Sequence, residues 1–306
     1  MDFGRTVQIE EADLSLPPDD PLTDLLWQQL KDVPRTPPQI YIGCTEWGRK
    51  NWIGKIYPQG TKDRDFLAHY VKQFNSIELN ALFYNLQPKE VIQRWASLAG
   101  PEFRFCPKYS NTISHYKQLQ QAERDTDLFL DHMLSFGDKL GYSFLQLSER
   151  FASNRAEVLQ KYVRHLPRDF HTCVELRHED WFGKDPRAKD TWQLFHELGI
   201  GTVLTDTQGR RDCLHMKLTA PVAFIRYVGN NLHPTDYLRL DAWIDRISTW
   251  IGKGLREVYI FLHNPEEQMS PEMAAYLAEQ FNTRLGTHLK IPKLPGPAAG
   301  TNLSLF

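Results

Sequence analysis

Four residues carry groups suited to proton transfer: the carboxylates of Glu78, Glu175 and Asp206, and the amine of Lys108. Each stands at or near the C-terminal end of a short apolar run, in SIELN, HTCVELR, GTVLTD and FRFCPK respectively. Such groups act as general acids or bases when their surroundings draw the pKa toward neutrality. A desolvated lysine can also form a Schiff base. Lys108, Arg177 and Arg226 are cations at the same kind of position, suited to a phosphate or carboxylate. His115, His178 and His263, taken with Glu78, Glu175 and Asp206, are donors of the type that holds zinc, manganese or magnesium. Asn80, Gln146 and Asn264 can orient a hydroxyl or carbonyl. Trp47, Tyr84 and Trp181, with Trp52, Tyr109 and Tyr227, offer faces for stacking on a base or a sugar. Three cations beside the carboxylates repel a metal, so the expectation is a small anionic ligand and no cofactor. A divalent metal on Glu78, His115, Glu175, His178, Asp206 and His263 is the alternative.

These residues must be positioned by the runs that precede them. There are eight such runs: QIYIGC, SIELN, FRFCPK, SFLQLS, HTCVELR, GTVLTD, AFIRYVG and EVYIFLHN. Helical patterns separate most of them, among them RDFLAHYVKQF, PKEVIQRWASL, AEVLQKYVRHL and KDTWQLFHELG. Strands alternating with helices imply a parallel sheet, and eight of them over this length imply a (β/α)8 barrel of the TIM type. An open doubly wound sheet is the competing fold, but no glycine-rich phosphate loop opens any of the helices. In a barrel the residues at the C-terminal strand ends form the active site.

Alternation sharpens the placement. Ile77 and Leu79 flank Glu78, Leu145 and Leu147 flank Gln146, Val174 and Leu176 flank Glu175, and Ile225 and Tyr227 flank Arg226. With period two, the aliphatic set faces the helices and the polar set faces the barrel axis. Phe83 and Tyr84 then begin the loop after the second strand. The charges could simply pair with one another inside the mouth. A buried ion network adds little net stability, however, so several charges at successive strand ends point to a ligand pocket.

Composition narrows the class. The chain has 306 residues, 41% hydrophobic and 24% charged, with a formal net charge of −2. These values fit a globular domain with a sizeable core and give no overall attraction to nucleic acid or anionic membrane. No run is long and apolar enough to span a bilayer, and the N-terminus lacks signal-peptide character, so a cytoplasmic location is expected. Cys44, Cys106, Cys173 and Cys213 show no paired spacing and read as reduced, buried thiols rather than a zinc site. Residues 1–38 form an acidic, proline-rich leader in which Leu22, Leu25, Leu26, Leu30 and Val33 share one helical stripe behind Pro21. Residues 39–290 form the barrel, and 291–306 a Pro/Gly tail.

The motifs IGCTEWGRKNWIGKIYP, FNSIELNALFYNL, FRFCPK, FLQLSERF, VELRHEDWF and VYIFLHN, in that order, resemble the YecE-like family, also called domain of unknown function 72. The likeness covers residues 40 to about 280 and implies a (β/α)8 barrel. It implies no activity. Three positions depart from the family pattern: Glu46 stands where glycine is usual, Ser148 where proline is usual, and His263 where asparagine is usual. Three functions stay open: an acid–base enzyme of hydrolase or isomerase type, a metal-dependent phosphoester hydrolase like endonuclease IV, and a non-catalytic module binding a ligand or nucleic acid.

Overall fold

A computed structural model describes residues 9 and 12–295. Eight strands are present, one for each apolar run: β1 (Gln39–Cys44), β2 (Ser76–Leu79), β3 (Arg104–Pro107), β4 (Ser143–Gln146), β5 (Thr172–Glu175), β6 (Gly201–Asp206), β7 (Val222–Val228) and β8 (Glu257–His263). All neighbours pair in parallel, in the order β3-β2-β1-β8-β7-β6-β5-β4. The β3–β4 seam is held by isolated parallel bridges at Phe105–Leu140 and Lys108–Phe144. There Gly141 N donates to Phe105 O at 2.8 Å and Tyr109 N to Phe144 O at 3.0 Å. The result is a nearly closed (β/α)8 barrel.

Its inner face is packed by Tyr41, Phe144, Val203, Phe224, Tyr259 and Phe261, which form a core of their own. The alternate residues Ile42, Ile77, Leu145, Val174, Leu204, Ile225 and Ile260 belong to the larger core under the helices. This is the expected consequence of period-two alternation in a closed sheet. Gly43 is required where β1 meets β2: a Cβ there would lie 2.1 Å from Ser76 O.

The surrounding helices are α1 (Pro21–Leu30), α2 (Phe66–Gln73), α3 (Ala81–Tyr84), α4 (Lys89–Leu98), α5 (Glu123–Met133), α6 (Ala156–His165), α7 (Pro186–Leu198), α8 (Pro234–Lys253) and α9 (Ser270–Leu285). Two of these differ from the sequence reading. The segment after β2 is not a loop at Phe83 and Tyr84 but the short helix α3. Helix α9, not among the patterns read from the sequence, buries a broad face of Met273, Ala274, Ala275, Leu277, Ala278 and Phe281 and leaves Glu279, Thr283 and Arg284 outside.

Between β6 and β7 the chain makes only a short 3₁₀ segment (Gln208–Cys213) and no α-helix. Helix α1 covers this corner instead. Asp20 caps it by accepting from Leu22 N at 3.0 Å, with Pro21 in the first turn. Thr23 Oγ1 donates to Met216 O at 2.6 Å and accepts from Leu218 N at 2.8 Å, both on the β6–β7 connection. Asp19 accepts from Arg246 and Trp250 of α8. The buried stripe of α1 is Leu22, Thr23, Leu26 and Trp27, whereas Leu25 is 44% exposed and Val33 lies beyond the helix. Docking beside a polar connection, not onto a flat apolar face, explains why Thr23 replaces Leu25. The tail predicted over 291–306 falls outside the described residues from 296 onward.

Candidate functional site

At the C-terminal ends of six strands, one buried network surrounds the axis. Arg226 on β7 grips Glu78 on β2 with two parallel bonds, Nε to Oε2 and Nη2 to Oε1, both 2.9 Å. Its third arm, Nη1, donates to Glu175 Oε2 on β5 at 2.8 Å. Gln146 Nε2 on β4 donates to the same oxygen at 2.8 Å, and its Oε1 accepts from Lys108 Nζ at 2.7 Å. Asn80 Nδ2 bonds Glu78 Oε1 at 2.9 Å, and His263 Nε2 on β8 bonds Glu78 Oε2 at 3.0 Å. Arg177 Nε lies 3.7 Å from Glu175 Oε1, and its Nη2 pairs with Glu149 at 2.8 Å. Glu78, Glu175, Lys108 and Arg226 are each at most 1% exposed. Charges so far from water require this degree of pairing.

Two carboxylates and one amine are thereby given different roles. Each oxygen of Glu78 accepts two donors. Burial raises its pKa, but Arg226 and His263 outweigh burial and hold it well below the ordinary carboxylate range. Glu78 is therefore a fixed anion that orients Arg226, Asn80 and His263, not the free base expected of it. Glu175 follows the same balance, burial opposed by Arg226, Arg177 and Lys108, with a net lowering. Its Oε1, however, has no hydrogen bond. Lys108 is pushed down to about 7 by burial first and then by Arg226, with Glu175 and Glu78 opposing. Its Nζ also sits 4.1 Å from the centre of the Phe83 ring, which is carried by α3.

The rim is contributed by His115 and its neighbours. His115 lies on a π-helical turn (Thr112–Tyr116), a distortion often found at functional sites. It stands edge-on to Phe83 at 5.1 Å and is bonded to Ser114 Oγ at 2.8 Å. Burial, then Lys108 and Arg177, lower its pKa. Tyr84 is 75% exposed and packs edge-on against Phe83. Trp47 is half-buried against Trp95 at 5.2 Å.

Other expected site residues do different work. Asp206 has the outward parity of β6: it binds Arg239 at 2.7 Å, Trp243 Nε1 at 2.7 Å and Arg211. The GTVLTD run carries threonine on both faces, so alternation could not orient it. His178 accepts from Asp180 N and caps a 3₁₀ turn (Glu179–Trp181). Trp181 is buried, donating to Phe151 O at 2.6 Å and accepting from Trp192 Nε1. Asn264 ties Asn231 N to Met273 and Ser270. Trp52, Tyr109 and Tyr227 are also buried, which removes most of the stacking surface foreseen for nucleic acid. Sequence reasoning missed Thr205. It has the inward parity of β6, two residues past Val203 and in register with Arg226, and its Oγ1 has no hydrogen bond.

The proposed metal donors do not fit a cation. Glu78 is saturated by cationic and amide donors, His178 is a cap, and Asp206 lies on the opposite face of the sheet. Among the described residues no three or more His, Cys, Asp or Glu side chains gather as a metal site. All four cysteines are free and buried. Nor is any helix of the described residues long and apolar enough to cross a membrane.

Fold and site together define a (β/α)8 barrel whose strand ends converge on a buried, charge-paired cluster. Residues 41–298 match the family model described as "Protein of unknown function DUF72", and the chain belongs to that family. It is 27% identical to the UPF0759 protein YecE of Escherichia coli K12, over 84% of this chain and 97% of that one. The UPF0759 protein YunF of Bacillus subtilis is also 27% identical, over 74% and 80%. Two crystal structures of a DUF72 family protein from Enterococcus faecalis V583 share the fold. Their TM-scores are 0.63 and 0.66 at 19% and 20% identity, covering 80% and 84% of this chain and 98% and 100% of those chains.

Proposed function

We propose that the protein is an enzyme of acid–base type, with Lys108 moving the proton and Glu175 as its carboxylate partner, acting on a small ligand that carries an anionic group. The observation that supports this most is Lys108 itself: a lysine 1% exposed whose amine, among the described residues, is held by one side-chain hydrogen bond, that of Gln146. Gln146 must present its carbonyl to Lys108 because its amide is committed to Glu175 Oε2. The amine is thus fixed in place by an acceptor without being locked as an ammonium ion. A group with a pKa of about 7 accepts and returns a proton at neutral pH, the condition for efficient general acid–base catalysis. Arg226 is paired with Glu78 and Glu175 and Arg177 with Glu149, so protonated Lys108, bonded to a neutral amide, is the cation left for an incoming anion to meet.

The test is an NMR titration of protein labelled at lysine Cε, with Lys108→Met identifying the resonance. A midpoint near 7 is expected; a midpoint above 10 removes Lys108 as the acid–base group. In parallel, parent and Lys108→Met proteins are incubated with a small-molecule cell extract. A compound consumed by the parent alone supports catalysis. One retained by the parent and never consumed favours the binding-module reading.

A further inference from the structure

The acid–base reading leaves three buried atoms at the same strand ends unexplained. Asn80 Oδ1, Glu175 Oε1 and Thr205 Oγ1 are shut from solvent and have no hydrogen-bond partner among the described residues. They belong to β2, β5 and β6 or the residue just after, and Glu78, Glu175 and Thr205 all share the inward parity. The orientation of Asn80 is not arbitrary: its Nδ2 faces Glu78 Oε1 at 2.9 Å, so Oδ1 must be the atom left over. Buried acceptors without donors are rare in folded proteins, because each forfeits its hydration. On the outer face, Asp236 Oδ1 and Arg239 Nε also lack hydrogen bonds, but their side chains answer each other as an ion pair, with Arg239 Nη1 at 3.6 Å from Asp236 Oδ1. Asn80 and Thr205 have no such counterpart among the described residues, whereas Glu175 Oε1 lies at ion-pair distance from Arg177 Nε, 3.7 Å, without a hydrogen bond.

Two of the three atoms are pure acceptors. A fully ionised phosphate or carboxylate offers them nothing, since it has no hydrogen to donate, and Glu175 repels it. A hydroxyl group suits all three: it donates to Asn80, Glu175 or Thr205 while its lone pairs accept from Lys108. We infer that the ligand of this site is polyhydroxylated, with hydroxyls donated to Asn80, Glu175 and Thr205. Joined to the anionic group of the proposed function, on which this inference rests, the substrate class is that of the sugar acids.

The probes are straight-chain four- to six-carbon aldonates, the matching alditols, and the matching unsubstituted carboxylates, each titrated calorimetrically into the full-length protein. Aldonate binding without binding of the plain carboxylates is expected. If alditols bind as well as aldonates, the hydroxyl inference stands and the anionic part of the proposed function falls. If plain carboxylates bind as well as aldonates, the hydroxyl inference is overturned and the anion-binding reading survives. Failure of all three sets overturns it too, leaving water as the partner of these atoms. Thr205→Val then separates ligand from fold. It removes only an unpartnered hydroxyl, so the unliganded protein keeps its denaturation midpoint while aldonate affinity falls about tenfold. Thr205→Ser restores the affinity. Unchanged affinity in Thr205→Val overturns the assignment of Thr205.

Discussion

Two ion networks are buried on opposite faces of the same sheet, and they end differently. Outside, Asp206 receives Arg239, Arg211 and Trp243, while Arg239 also donates to Val228 O and Asp206 O at 3.0 Å each. Every oxygen of that carboxylate has a donor, and the effect is to clasp α8 to the ends of β6 and β7. Inside, Glu78 is satisfied just as fully, yet the chain of bonds runs on through Arg226, Glu175 and Gln146 and stops at a lysine. One network closes on itself; the other terminates in a titratable amine and open acceptors. Both networks hold buried charge, so buried charge alone does not distinguish a clasp from a site. The terminus of the network does.

That contrast can be broken most forcefully at the arginines. Arg226→Met leaves Glu78 and Glu175 buried without their shared cation, and a loss of about 3–5 kcal/mol is expected in urea unfolding. Arg239→Met costs less, because Arg211 and Trp243 still hold Asp206. A larger loss from Arg239→Met would reverse the ranking of the two networks.

Lys108 gives the next effect, through pH. Its folded value of about 7 lies below its ordinary 10.5, so between these values the unfolded chain binds a proton that the folded protein does not. Stability from this group is then complete above 10.5 and is lost as pH falls through about 7. Lys108→Met abolishes the dependence. Relative to the parent, the variant should be more favoured at pH 6.5 than at pH 9.5, by a difference on the order of a few kcal/mol. Equal differences at both pH values would show that Lys108 is not desolvated in the folded state.

The smallest effect reads the two faces directly. Glu175→Gln removes a carboxylate that raises the Lys108 pKa, so the Lys108 midpoint moves further down in the NMR titration. Asp206→Asn, on the other face, leaves that midpoint in place. A shift of equal size from Asp206→Asn would mean that the two networks are one.

Much of the inner network was legible because its strands label their own faces. Glu78, Gln146, Glu175 and Arg226 each sit between aliphatic neighbours, and in a parallel barrel that alternation dictates direction. Asp206 and Thr205 were exchanged for the opposite reason: in GTVLTD a small polar residue falls on each face, and only pairing with β7 fixes the phase. Trp181, His178 and Asn264 stand after strand ends, as site residues would, but Trp181 Nε1, His178 Nδ1 and Asn264 Nδ2 are engaged by nearby backbone and side-chain groups that spacing does not reveal. Helix α9 was hidden because small residues, Ala274, Ala275 and Ala278, make up much of its buried face and weaken the apolar period. The lowered pKa of Lys108 was equally out of reach, since it follows from how six strand ends converge.

Helix α1 carries a kinetic consequence. It lies ahead of the family-matched segment 41–298, yet it covers the corner that the β6–β7 connection leaves without a helix. Thr23 bonds Met216 across 193 positions of sequence, so α1 cannot dock until the chain has been made past Met216. Closing so long a loop is entropically costly and slows folding. Until that closure, Leu22, Leu26 and Trp27 of α1 and the β6–β7 connection around Met216 and Leu218 stay exposed together, which leaves this corner open to misassembly in the nascent chain.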